Sequence, residues 1–88
     1  MNRRKLKKNI NYLCGELFAE CVALLHYQRE INRDDVDNVM KSILLMQDDL
    51  ICRCSHAEPG SIKLYFKKLR QDMITATDEI VDQIRGLA

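Results

Sequence analysis

Residues 34–60, DDVDNVMKSILLMQDDLICRCSHAEPG, contain a complete amphipathic helix followed by the clearest loop of the chain. Apolar residues recur three and four positions apart as far as Ile51, which is the spacing of one helix face. The pattern stops at His56, and Pro59 and Gly60 follow. Proline lacks the backbone donor that a helix needs, and glycine allows a positive φ. We therefore predict a helix over residues 34–55 and a loop over residues 56–60.

The same spacing of apolar residues continues on both sides of this segment. It predicts a first helix over residues 3–27 and a third over residues 61–85. Asn32 or Asp34 is the expected N-cap of the second helix and Ser61 that of the third, while Gly86 stands where the third helix should stop. Long helices joined by short loops pack antiparallel to their neighbours. We predict an all-α fold in which residues 1–88 form a single domain, an antiparallel three-helix up-down bundle.

The composition fits a small folded protein of the cytoplasm. Of the 88 residues, 47% are hydrophobic and 31% charged, a balance that argues against disorder. The most apolar stretch, residues 18–25, contains Glu20 and is far shorter than the roughly 20 residues of a membrane span. The basic N-terminal residues are not followed by the apolar segment of a signal peptide. The four cysteines lie within helical patterns, which fits a reducing compartment.

Apolar residues near the middle of the first two helices exceed what one stripe per helix requires. Residues 43–46 are four consecutive apolar residues, and residues 18–25 are apolar except for Glu20. An exposed apolar patch usually marks an interface, so we expect a homodimer. In the alternative, the first helix is central and buries this surface against both neighbours. The candidate interface residues are Gly15, Phe18, Ala19, Val22, Ala23, Leu25, Leu44, Leu45 and Met46.

Basic residues gather where an antiparallel bundle would bring together the start of the first helix, the end of the second and the start of the third. This basic pole has ten basic residues against Asp48, Asp49 and Glu58, a balance of about +7. Such a pole could bind an acidic protein, a nucleic-acid backbone or an anionic lipid surface, or could be a solvated end of the molecule. Two of the ten basic residues of the pole are Lys5 and Arg70. The other eight are the candidate anion-binding residues Arg3, Arg4, Lys7, Lys8, Arg53, Lys63, Lys67 and Lys68.

No pattern in the chain indicates an enzyme, a metal site or a cofactor. Cys52, Cys54 and His56 suggest zinc at first sight, but residues two apart on a helix point in nearly opposite directions and there is no Cys-x-x-Cys. We find no glycine-rich phosphate loop, no Glu-x-x-His pair and no nucleophile beside a plausible base. We therefore expect a non-enzymatic protein that uses no cofactor.

Residues 11–23, NYLCGELFAECVA, and residues 51–60, ICRCSHAEPG, resemble those of small all-helical conserved hypothetical proteins from gut Bacteroidales. The resemblance covers most of the chain and implies a bacterial cytosolic protein. It brings no activity and no functional residue with it. The leading hypothesis is a protein–protein interaction or regulatory module that presents a helical surface. The alternative is a nucleic-acid-associated protein that uses the basic pole.

Overall fold

Three α-helices make up the structure. The computed structural model describes residues 3–28, 30–56 and 62–87. Side chains are described from Arg4 onward in the first range and from Lys63 onward in the last. The helices are α1 (Arg3–Tyr27), α2 (Arg33–Ser55) and α3 (Ile62–Leu87), and no strand occurs in these ranges. The predicted all-α, three-helix fold is confirmed, and the contacts among the helices fit a bundle.

The start of α2 is fixed by a side-chain cap. Asn32 is extended (φ −74°, ψ 113°), and its Oδ1 accepts the backbone N–H groups of Asp34 at 2.9 Å and Asp35 at 3.4 Å. This pairing satisfies donors that have no partner within the helix. Asn32 is therefore the N-cap, and Asp34 and Asp35 lie in the first turn, where the helix dipole favours negative charge. The helix begins at Arg33, one residue earlier than predicted.

The ends of α2 and α3 differ in how well they could be predicted. The last residue of α2 is Ser55, as expected, and the His56 N–H donates to the Cys52 carbonyl oxygen at 3.0 Å. The expected stop of α3 at Gly86 is wrong, because the helix continues to Leu87. Leu87 packs against the core, so one further half-turn buries apolar surface. The predicted loop residues 57–60 and the Ser61 cap lie outside the described residues.

The core is shared unequally among the helices. Both α1 and α2 contribute five buried residues, whereas α3 contributes two. Ile31, in the connection before α2, also packs against this core, although its surroundings in the sequence are polar. The buried residues are Leu6, Ile10, Cys14, Leu17 and Cys21 of α1, Val36, Val39, Ile43, Leu50 and Cys54 of α2, and Leu69 and Ile80 of α3.

The central helix is α2. It packs extensively against both other helices, which contact each other much less. The alternative in which α1 is central is therefore wrong. The Cα atoms extend over 50 × 18 × 16 Å, and their radius of gyration is 14.7 Å. A compact domain of this length would have a radius of gyration of about 12 Å. The molecule is elongated, so much of each helix faces solvent.

Candidate interaction surface

The outer face of α2 carries two exposed leucines in its middle. Ile43 is fully buried, but Leu44 is 48% exposed and Leu45 is 70% exposed. The four consecutive apolar residues therefore serve both sides of α2: Ile43 belongs to the core, Met46 packs against it, and Leu44 and Leu45 face outward. Leu44 and Leu45 line a surface hollow of about 320 Å³, together with Lys41 and Asp48.

A second hollow, of about 210 Å³, lies between α1 and α2. It adjoins the outer face of α2, because Leu44 lines both hollows. At one end the Gln47 side-chain amide donates to Asn11 Oδ1 at 2.9 Å, which ties the two helices together. This second hollow, called the groove below, is lined by Asn11, Cys14, Gly15 and Phe18 of α1 and by Ile43, Leu44 and Gln47 of α2.

Gly15 lies on the exposed surface of α1 beside this groove. A Cβ atom placed on it would meet no atom of the described residues within 4 Å, apart from its chain neighbours and its own helix backbone. The close helix approach that a small residue permits is therefore not used among the described residues. Of the candidate interface residues, Gly15, Ala19, Leu44 and Leu45 are exposed; the others, Phe18, Val22, Ala23, Leu25 and Met46, are half-buried.

Arg53, the basic residue at the end of α2, is only partly available to a ligand. Arg53 donates to Asp72 Oδ2 of α3 at 2.7 Å and lies 3.6 Å from Asp49 Oδ2. The hydrogen bond to Asp72 raises the pKa of Arg53 above its ordinary value, although partial burial acts in the opposite direction. Tyr65 Oη donates to the Arg53 backbone oxygen at 2.9 Å, and the Tyr65 ring packs edge-on against Phe66. Arg53 and Tyr65 therefore join α2 to α3.

The remaining members of the basic pole face solvent to differing degrees. Lys7 is half-buried, and the side chain of Arg3 lies outside the described part of the chain. The exposed members are Arg4, Lys5, Lys8, Lys63, Lys67, Lys68 and Arg70.

The cysteines and histidines form no metal centre in the described ranges, where no group of three potential ligands comes together. Because α2 continues to Ser55, Cys54 is buried while Cys52 is exposed. The Cys52 Sγ and His56 Nδ1 atoms are 3.8 Å apart, and Nδ1 lies 2.9 Å from the Cys52 carbonyl oxygen. Burial raises the pKa of the Cys14 thiol. Burial also raises the pKa of the Cys21 thiol, with a smaller contribution in the same direction from the negative charge of Glu20. The surroundings of Cys14 and Cys21 therefore favour the protonated, less reactive form of the thiol.

Comparisons with known proteins add no further constraint: no family model, no curated protein and no solved structure matches this chain. The resemblance to small all-helical proteins of gut Bacteroidales stays a prediction. Among the described residues, none of the helices has the length and hydropathy that crossing a bilayer requires.

Two features of the surface were missed by sequence reasoning. Lys41 and Asp48 border the exposed leucines, and their spacing on one helix face was a signal that could have found them. The pairing of Arg53 with Asp72 had no such signal, because it joins two helices whose relative register the sequence does not define.

Proposed function

We propose that this protein is a non-enzymatic interaction module that associates with a second copy of itself. The contact surface is the outer face of α2 with the adjoining exposed part of α1. The observation that carries the proposal is the exposure of Leu44 and Leu45, 48% and 70%, side by side in the middle of a helix whose core-facing residues are already buried. Neither leucine is needed to complete the core. An adjacent apolar pair of this kind favours a partner surface.

The exposed area suits a weak, reversible dimer. Together the two leucines leave slightly more than one full leucine side chain in water on each protomer. Burying them in both copies is worth roughly 4–7 kcal/mol. Association itself costs about 4–15 kcal/mol in lost freedom of motion, so polar contacts and shape must supply the remainder. We expect a dissociation constant in the micromolar range, about 1–100 μM.

Gly15 supports the same surface. A glycine in a helix interior is less favourable than alanine by roughly 0.5–1 kcal/mol. Nothing within the described chain approaches Gly15 closely enough to require the missing side chain. A helix from a second molecule, lying against the exposed Gly15 and Ala19, would use that space. The shape of α1 beside the outer face of α2 is therefore consistent with close helix packing.

We further propose that the three helices form an up-down antiparallel bundle and that the protein is located in the cytoplasm. Connections of five residues between α1 and α2 and six between α2 and α3 favour antiparallel neighbours. The Asn11–Gln47 and Arg53–Asp72 contacts are compatible with that order. Four free cysteines fit a reducing compartment. In this arrangement the basic pole lies at one end of each protomer, where it would steer an acidic protein partner.

The alternative, binding to nucleic acid through the basic pole, has less support. Arg53 is neutralised by Asp72, and the hydroxyl and ring of Tyr65 are both engaged within the bundle. The most favourable case is the set of exposed lysines on α3. Binding to phosphate groups would appear as a mobility shift of generic DNA or RNA at low salt that disappears as salt is raised. A chain that produces no shift at low salt would exclude this function.

Light scattering and sedimentation equilibrium test the self-association. At about 100 μM, a dissociation constant of about 1–100 μM gives an average mass of about 1.5 to 2 times the chain mass of 10.3 kDa. Leu45→Glu should return the protein to the monomer mass, since it places a charge at the centre of the contact. Leu64→Glu is the matched control, because Leu64 is also an exposed leucine (65%) but lies on α3, which is not part of the proposed contact surface. A wild-type monomer at this concentration, or equal effects of the two variants, would overturn the proposal.

A further inference from the structure

The charges on the outer face of α2 are arranged symmetrically about its two exposed leucines. Lys41 lies three residues before Leu44, and Asp48 lies three residues after Leu45. All four residues share one helix face and line one hollow. Both charged side chains are exposed, and neither forms an ion pair with another described residue. Because the two charges are opposite in sign, the face is complementary to itself when it is reversed.

From this symmetry we infer that α2 pairs with α2 of a second copy in antiparallel orientation, about a two-fold axis that passes between Leu44 and Leu45. In this register Leu44 packs against the partner's Leu45, and Lys41 faces the partner's Asp48. The two-fold axis repeats each contact, so the interface contains two ion pairs around a leucine cluster. The inference rests on the proposed self-association and specifies its geometry.

The same register continues without conflict along the helix. Asp37 lies seven residues before Leu44 and Cys52 seven after Leu45, so these two residues face each other across the axis. By the same count Asp34 faces the partner's Ser55. Asp37 and Asp34 therefore each face a neutral group. Since like charges across an interface are strongly unfavourable, their absence over the length of α2 supports this register.

Other ways of pairing the same face bring like charges together. An axis placed at Lys41 or at Asp48 would bring two lysines or two aspartates into contact. Parallel pairing about Leu44 and Leu45 would do both at once, because each residue would face its own copy. The leucines alone would tolerate several of these arrangements, so the flanking charges select one of them.

Charge reversal tests this register. Lys41→Asp and Asp48→Lys each replace both ion pairs by like-charge contacts, so each should weaken self-association by about tenfold or more. The double variant Lys41→Asp/Asp48→Lys restores opposite charges, and we expect its dissociation constant to return to within about threefold of wild type. An equimolar mixture of the two single variants should form heterodimers, since every facing pair is then opposite in sign.

Matched controls separate a local contact from a change in net charge. Lys67→Asp and Glu79→Lys alter the charge by the same amounts at exposed positions of α3 and should leave the dissociation constant unchanged. Circular dichroism confirms that each variant is folded. Leu45→Glu tests the self-association, and the charge variants test the register. If Leu45→Glu abolishes the dimer but the single reversals have no effect, the register is wrong and the self-association stands. The same holds if the double variant dimerises as weakly as the single variants, whereas a monomeric wild-type chain would overturn both the self-association and the register.

Discussion

Ile43 and Leu45 lie two residues apart near the middle of α2, and they occupy opposite environments. Ile43 is fully buried among residues of the core, whereas Leu45 is 70% exposed on the outer face. Both are large aliphatic side chains in the same apolar run, so the residue type does not explain the difference. The inner face completes the fold of one chain, and the outer face provides apolar surface that a single chain does not use. One helix thus carries a folding surface and a candidate binding surface.

The largest expected effect is the difference in unfolding free energy between truncating a residue on the inner face of α2 and truncating one on its outer face. Ile43→Ala removes buried methyl groups and leaves a cavity, so it should lower the free energy of unfolding by about 2–5 kcal/mol. Leu45→Ala should change it by less than about 0.5 kcal/mol under conditions where the chain is monomeric, because its side chain already contacts water. Urea unfolding followed by circular dichroism at low protein concentration measures both values.

The same pair of variants behaves differently when the protein is concentrated. If the dimer forms, the wild-type chain gains stability with concentration, and Leu45→Ala loses that gain. Ile43→Ala should remain destabilised at every concentration. Equal losses from the two variants in dilute solution would mean that the two faces of α2 do not have the separate roles assigned to them.

A smaller effect is expected at the contact between Arg53 of α2 and α3. Tyr65→Phe removes the hydroxyl that donates to the Arg53 backbone oxygen, at an expected loss of about 0.5–1.5 kcal/mol. Asp72→Asn removes the charge opposite Arg53; because the Asp72 side chain is 42% exposed and screened, we expect a loss of at most about 1 kcal/mol. Raising the salt concentration should reduce the effect of Asp72→Asn and leave that of Tyr65→Phe nearly unchanged.

Tyr12→Phe is the control for this contact. Tyr12 is an exposed tyrosine of α1, so loss of its hydroxyl should leave the unfolding free energy unchanged. A loss at Tyr12 as large as that at Tyr65 would show that the measured change does not report the α2–α3 contact. Neither substitution alters the outer face, so dimerisation should persist in both.

Local patterns made the helices predictable, whereas the relations between helices were not. The spacing of apolar residues located all three helices, and the polar residues around Asn32 indicated a boundary but left two possible caps. Gly86 was misleading, because the burial of Leu87 outweighs the tendency of glycine to end a helix. The excess of apolar residues at 43–46 was visible, but which of them faces outward depends on where α1 and α3 lie around α2. For the same reason the partner of Arg53 could not be read from spacing along the chain.

The smallest effect, and the one that best separates the protomer from the dimer, is expected at Gly15. Gly15→Ala should stabilise the monomer by about 0.5–1 kcal/mol, because alanine restricts the unfolded chain and the added Cβ meets nothing within 4 Å. Gly86→Ala is the matched control, since its Cβ would also enter open space, but near the end of α3. If a partner helix packs against Gly15, then Gly15→Ala weakens dimerisation while it stabilises the monomer, and Gly86→Ala leaves dimerisation unchanged. Unfolding in dilute solution and sedimentation at high concentration measure the two quantities separately. If Gly15→Ala increases both the stability of the monomer and the strength of dimerisation, the partner lies away from α1 and the contact is restricted to the outer face of α2.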